Sequence, residues 1–163
     1  MTSPEQAVGE LLQRVRASLA VAESCTGGML GARVTSVSGS SAYFLGGIIA
    51  YSNASKVRDL GVDPSILETE GAVSEPVAAQ MALGVQRRFN ADYALSVTGI
   101  AGPGGGSERK PVGLVYVALA DPAQCSVNCF QFAGDRAAVR EQTVAAALDL
   151  LTRTLAENNR SRT

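Results

Sequence analysis

The sequence predicts a three-layer α/β/α sandwich built on a mostly parallel mixed sheet of about five strands, one of them antiparallel. Short apolar runs of strand length alternate with longer runs at helical spacing, so helices separate most of the strands. Late in the chain two strand-like runs, Val112 to Ala120 and Ser126 to Phe132, are joined through Asp121-Pro122 as a hairpin, which supplies the antiparallel member. At 163 residues, 46% hydrophobic and 18% charged, the chain is long enough to bury a substantial core as one domain spanning residues 1–163.

Each element has its own reason. Pro4 to Ala17 carries Val8, Leu11, Leu12 and Val15 at helical spacing. Ser18 to Ala22 reads as a short buried strand that runs into the turn Glu23-Ser-Cys-Thr-Gly-Gly28. Met29, Leu30, Arg33 and Val34 then resume a helix. After a serine-rich turn, Ala42 to Leu45 is expected as one helical turn and Gly46 to Tyr51 as a buried strand. Asn53 is placed to cap a helix over Ala54 to Leu60. A second short helix is expected from Asp63-Pro64, with proline in its first turn. Ser74-Glu-Pro76 opens a longer helix with Val77, Met81, Leu83, Val85 and Phe89 apolar. Tyr93 to Val97 is a buried strand delivering Thr98-Gly99. Gly102 to Gly113 is rich in glycine and polar residues and is expected as an exposed, mobile loop. Gly134-Asp-Arg136 leads into a last helix to about Leu155, and a frayed tail is expected from Asn158 to Thr163.

Composition narrows the function. A formal net charge of -1 offers no footprint for nucleic acid. Val34 to Ser55 is free of charge, yet its serines, glycines and Asn53 argue against a membrane span. The polar start MTSPEQ lacks a signal-peptide layout. Three cysteines without paired spacing suit the cytoplasm. With no histidine and no Cys-x-x-Cys, no metal site is expected.

The chemistry converges on Gly39 to Lys56, which holds the tandem Ser40-Ser41, Tyr51 and Lys56. The sequence contains no histidine and only two lysines, Lys56 and Lys110. A nucleophilic serine here has no imidazole base, and a lysine deprotonated by burial is the available substitute. An ordinary lysine is neutral only about one part in two thousand at pH 7. Burial and a position in a helix's first turn both favour the neutral amine. Ligands of such sheets sit beyond the carboxyl ends of the strands. There the turns carry Ser24, Thr26 and Gly27, then Tyr51 and Lys56, then Thr98 and Gly99. The Ser24–Gly28 turn leads from strand to helix, a geometry that offers backbone N–H groups to an anion. Gly105 in the glycine-rich loop, Arg136 and Arg140 are further donors for a phosphate. Two readings stay open beside this one. Cys25, at a helix start, could serve as the nucleophile of a Cys25–Lys56–Glu23 amidase, and the fold could be a non-catalytic nucleotide-binding or regulatory module. Arg136 and Arg140 could equally form a solvated face paired with Asp135 or Glu141.

The stretches AESCTGG (22–28), GSSAYF (39–44), YSNASK (51–56), GAVSEPV (71–77), TGIAGPGGGSERKPVG (98–113) and GDRAAVR (134–140) resemble the CinA C-terminal domain family, the nicotinamide mononucleotide deamidases. The resemblance implies hydrolysis of the nicotinamide carboxamide to nicotinate mononucleotide and ammonia, with neither metal nor cofactor. It implies Ser41, Tyr51 and Lys56 as the catalytic set, with Ser40 beside them and Ser24, Thr26 and Thr98 lining the substrate site. Larger members carry an additional nucleotide-hydrolase domain, whose activity is not expected of this sequence. A homodimer is also implied, and the uncharged face around Tyr43–Leu45 could serve it.

Overall fold

The computed structural model describes residues 1–161. Among them the order is α1 (Pro4–Val15), β1 (Leu19–Glu23), α2 (Met29–Thr35), a 3-10 turn (Ser40–Ala42), β2 (Phe44–Ile49), α3 (Asn53–Leu60), α4 (Pro64–Glu70), α5 (Glu75–Phe89), β3 (Tyr93–Gly99), β4 (Leu114–Ala120), β5 (Cys125–Gln131) and α6 (Arg136–Arg160). The sheet order is β2-β1-β3-β4-β5. β1 is parallel to β2 and β3, whereas β4 is antiparallel to β3 and to β5. β4 is therefore the one antiparallel strand, and the α/β sandwich is as the sequence predicts.

Alternation along β1, β3 and β4 divides the interior into two cores. Leu19, Val21, Leu95, Val97, Val115, Val117 and Leu119 face α1, α2 and α6. Ala20, Ala22, Ala94, Ala118 and Ala120 face α5, with Leu60 of α3 and Leu67 of α4 in the same layer. The small side chains of this second face let α5 lie close to the sheet. Gly84 of α5 meets the next helix more closely still, because a Cβ there would fall 1.9 Å from the Leu60 carbonyl oxygen. Helix starts are set by local side-chain caps: Ser3 shares a capping box with Gln6, Asp63 accepts from the Ser65 amide, and Asp135 accepts from the Ala138 amide.

Four local expectations are corrected. The helical turn falls at Ser40–Ala42, so Phe44 and Leu45 already belong to β2. β2 is an edge strand, not a buried one: it pairs only with β1, and Leu45 and Ile49 are exposed. Its run of apolar residues reads as buried because periodicity cannot tell a core strand from a bare edge. The cap of α3 is Ser52, whose hydroxyl accepts from the Ser55 amide, while Asn53 is the first helical residue. Finally, α6 continues through Arg160, and Asn158 donates to the Tyr93 hydroxyl at 3.1 Å, so the expected fraying does not begin at Asn158. The rest of that tail, residues 162–163, lies outside the described residues.

Candidate active site

The strands β1, β2 and β3 are parallel, so the turns that follow them meet at one edge of the sheet. Ser24 leaves β1, Tyr51 and Lys56 follow β2, and Thr98 and Gly99 end β3. A cavity of about 260 Å³ opens at this edge, lined by these residues together with Cys25, Ala72, Ile100, Gly104, Gly105 and Arg136 among others. Convergence of the three turns is thus as expected from the sequence.

Lys56 is at the heart of this edge. It is only 1% exposed. Its Nζ lies 3.0 Å from Ser24 Oγ, 2.8 Å from the Ala50 carbonyl and 3.3 Å from the Tyr51 carbonyl. Among the described residues no carboxylate pairs with it. Burial pushes its pKa below the ordinary lysine value, against an opposing influence from Cys25. All three groups stand as acceptors of the amine's N–H groups. In the neutral form, with two N–H donors and one lone pair, the carbonyls take both donors and leave the lone pair facing the Ser24 hydroxyl.

Ser41 is elsewhere. The 3-10 turn that holds Ser40 and Ser41 precedes β2, whereas Lys56 follows it. At about 3.3 Å per residue the intervening strand separates the two ends by roughly 20 Å. The expected Ser41–Lys56 pair is therefore not assembled within the chain, and Ser40 is equally remote. Closeness in sequence misleads here, since an extended strand carries its two ends to opposite edges of the sheet. Ser24, expected only as a lining residue, takes the place beside the lysine.

Tyr51 holds Lys56 through its backbone carbonyl, not through its hydroxyl. The phenol instead accepts from Arg136 at 3.1 Å. Arg136 also donates to the Gly102 carbonyl at 2.9 Å, tying the glycine-rich loop to the opposite wall. That loop is exposed from Pro103 to Arg109, as expected. Arg140 donates to the carbonyls of Cys25 and Thr26 at 3.1 and 3.0 Å. The pairings weighed for a solvated face are not made, since Glu141 bonds Arg33 and Asp135 caps α6, although Arg136 itself is exposed. Arg136 and Arg140 line a neighbouring cavity of about 680 Å³ with Pro103, Val112, Gly134 and Ala137. Both cavities share Ala101 and Arg136.

Thr26 and Gly27 do not line the Lys56 cavity. Thr26 is fully buried and donates to Glu23 Oε1 at 2.6 Å. Glu23 is 2% exposed, and its carboxylate also accepts from the amides of Leu30 and Gly31 at 2.8 and 3.0 Å. The start of α2, expected as an anion site, is therefore occupied by the protein's own carboxylate. Glu23 fixes the turn that carries Ser24, a role the sequence reading missed. The available signal was an acid at the end of a strand, one short glycine turn ahead of a helix start. Glu23→Gln is expected to destabilise the fold by about 1–3 kcal/mol in urea unfolding, because its amide nitrogen cannot accept the second backbone bond.

Cys25 lines the cavity but is a poor nucleophile. Burial raises its thiol to about 11, which leaves it protonated at neutral pH. Its proposed partner Glu23 is committed to α2. The Cys25–Lys56–Glu23 arrangement is accordingly not formed. No group of three or more metal-ligating side chains occurs among the described residues, and no helix there is long and apolar enough to cross a membrane.

Fold and site together define an α/β sandwich with a buried serine–lysine pair at the carboxyl edge of its parallel strands. The family model of the CinA C-terminal domain matches residues 1–155. The chain belongs to the CinA C-terminal domain family. It is 52% identical over 151 residues to a CinA-like protein of Geobacter sulfurreducens and 54% identical over 154 residues to one of Thermosynechococcus vestitus. Each alignment covers 93% of this chain but 37% of the relative, so the chain spans little more than a third of those proteins. Among solved structures, a CinA superfamily protein from Klebsiella pneumoniae superposes with a TM-score of 0.91 at 32% identity, covering 94% of this chain and 96% of that one. The competence/damage inducible protein CihA from Agrobacterium tumefaciens superposes with a TM-score of 0.85 at 39% identity, covering 92% and 96%.

Proposed function

We propose that the chain is an amidohydrolase that removes ammonia from the carboxamide of nicotinamide mononucleotide, with Ser24 as nucleophile and Lys56 as general base. The observation that carries this is the buried Lys56 amine, with no carboxylate beside it among the described residues, 3.0 Å from the Ser24 hydroxyl. Ser24 Oγ attacks the carboxamide carbon while its proton passes to Lys56 Nζ. Main-chain N–H groups of the turn after Ser24 and of the glycines on the cavity wall are the donors for the tetrahedral oxyanion. Collapse breaks the C–N bond, and the proton held by Lys56 leaves with ammonia. Water then attacks the acyl-enzyme and gives a proton to Lys56. Collapse breaks the ester bond, Lys56 returns that proton to the departing Ser24 Oγ, and the acid leaves as a carboxylate with its proton going to solvent. The chemistry needs no metal or cofactor.

Size supports a divided site. The cavity at Lys56 is small for a whole nucleotide and suits the pyridine ring with its carboxamide. The ribose and phosphate extend past Arg136 into the neighbouring space, where Arg140 adds a second guanidinium. Arg140→Ala is expected to raise KM for the mononucleotide by about 10- to 100-fold, the loss of one charge-assisted contact. Its KM for the dephosphorylated nucleoside should be unchanged, and steady-state kinetics on both compounds check this. The direct test of the function is ammonia release from purified protein and nicotinamide mononucleotide; a folded protein that binds the nucleotide without turnover favours a regulatory module instead. The setting proposed is cytoplasmic, with residues 1–163 acting as one domain and as a homodimer.

A further inference from the structure

We infer that Lys110 is a positioning residue for the Lys56 cavity: its ammonium fastens the glycine-rich loop to the end of α4 and so holds the Ala72–Val73 wall against which the substrate binds. The inference rests on the reading of that cavity as the carboxamide site. It adds a residue that is a partner of neither Ser24 nor Lys56.

Lys110 is the second of the two lysines, and unlike Lys56 it is partly exposed. An ammonium on a long flexible stem in such a place is ordinarily left to water. This one is committed. Its Nζ donates to the carbonyl of Glu70, the last residue of α4, and among the described residues it forms no ion pair. The last carbonyls of a helix have no partner within it, so the ammonium satisfies a group that α4 cannot. Gly71 follows with φ 78°, and a Cβ there would fall 3.0 Å from Nζ, so glycine leaves the room this clasp needs. On the loop side Lys110 is held by a closed turn. Its amide donates to Ser107 Oγ at 3.0 Å, and its carbonyl accepts from the Ser107 amide at 2.8 Å.

The clasp matters because of the segment that follows Glu70. Gly71, Ala72 and Val73 join α4 to α5 without regular structure. Three successive carbonyls here are taken by three side chains: Glu70 by Lys110, Gly71 by Ser74 Oγ at 2.8 Å, and Ala72 by Thr98 Oγ1 at 2.9 Å. Ser74 and Thr98 are buried at the cap of α5 and in β3, so they are fixed by the fold. Lys110 is the one donor of the three that a loop supplies. Ala72 and Val73 line the Lys56 cavity together with Gly104 and Gly105 of that loop. Val73 also borders a second cavity of about 700 Å³, which Glu70, Arg109 and Lys110 line. The lysine therefore stands behind the wall, in the second cavity and not in the first. The loop's other tie is the bond from Arg136 to the Gly102 carbonyl, and between the two ties Pro103 to Arg109 are exposed. Removing Lys110 frees one end of the loop and the wall beneath it, and the substrate must then restore that order as it binds. Ser24 and Lys56 are held separately, by the Ala50 and Tyr51 carbonyls and by their own contact, so the chemical step is spared.

The test uses the full chain. Lys110→Met keeps the apolar stem and removes the donor. It is expected to raise KM for nicotinamide mononucleotide by about 10- to 100-fold, with kcat within about threefold and the pH limb of kcat unmoved. A merely structural loss of folded protein would lower kcat and leave KM alone. Lys110→Arg can still donate to the Glu70 carbonyl and should bring KM back to within a few-fold of the wild type. Ser107→Ala loosens the turn that presents Lys110 and should raise KM by a few-fold, which carries the test if the methionine variant does not fold. Release of the loop is read separately with a glutamate-specific protease. Cleavage after Glu108 should be about tenfold faster or more in Lys110→Met, because cleavage of a folded protein tracks the population of the opened segment. An active Lys110→Met or Ser107→Ala protein with unchanged KM, or unchanged cleavage after Glu108 in Lys110→Met, overturns the inference and leaves the amidohydrolase reading standing. A wild type that releases no ammonia overturns that reading instead, and the rate of cleavage after Glu108 then decides the clasp by itself.

Discussion

Ser24→Ala is expected to fold as the wild type does and to lose ammonia release by about 10⁴-fold or more, the usual scale for removing a covalent nucleophile. The hydroxyl is small and makes its bond only to Lys56, so its removal leaves one lysine contact unmade and little else. Thermal unfolding should move by a few degrees at most. Ser41→Ala separates this assignment from the one that sequence proximity suggests. Ser41 is exposed and lies at the far end of β2, so its loss should leave turnover within a few-fold. Cys25→Ala should likewise retain most activity, since that thiol is held protonated by burial. If Ser24→Ala retains turnover while Ser41→Ala loses it, the serine–lysine pair seen at the sheet edge is not the catalytic one.

Much of this was legible in the chain, and the failures have one source. The layer architecture follows from alternating strand and helix periodicities, which are local properties. So does the single antiparallel strand, because Asp121-Pro122 can only mark a tight turn between neighbours. The absence of histidine rightly focuses attention on Lys56, and its burial matches that focus. What stayed hidden was which hydroxyl meets the amine. The pairing of Ser24 with Lys56 spans 32 residues and depends on β1 lying beside β2 in parallel. No spacing rule in the sequence encodes that neighbour relation. Glu23 shows the same limit: its carboxylate acts on amides seven and eight residues onward, across a glycine turn. The edge position of β2 was likewise invisible, since the pattern of an uncovered apolar strand and of a buried one is identical.

Lys56→Met is expected to abolish turnover and, at neutral pH, to stabilise the fold by about 1–4 kcal/mol, as apolar replacements of poorly compensated buried charges often do. The sign follows from proton counting. In the unfolded chain this amine titrates near 10.4. In the folded protein burial lowers that value. Between the two values the unfolded state binds more protons, so the wild type gains stability as pH rises through this window. Below the folded value the full penalty persists, whereas above the ordinary value it is gone. Methionine does not titrate, so the stability gap between variant and wild type should narrow as pH rises from 7 towards 10. Urea unfolding across that range measures it. The same shift predicts a limb of kcat/KM that rises with pH at a value below the ordinary lysine range, reporting the free enzyme's base. Lys56→Arg keeps a permanent charge and should be inactive at every pH, since a guanidinium cannot take the Ser24 proton. A Lys56→Met protein that is less stable than the wild type by a margin independent of pH would mean that the amine stays charged and well compensated. Neither Ser24 nor any other hydroxyl on this edge would then have a base.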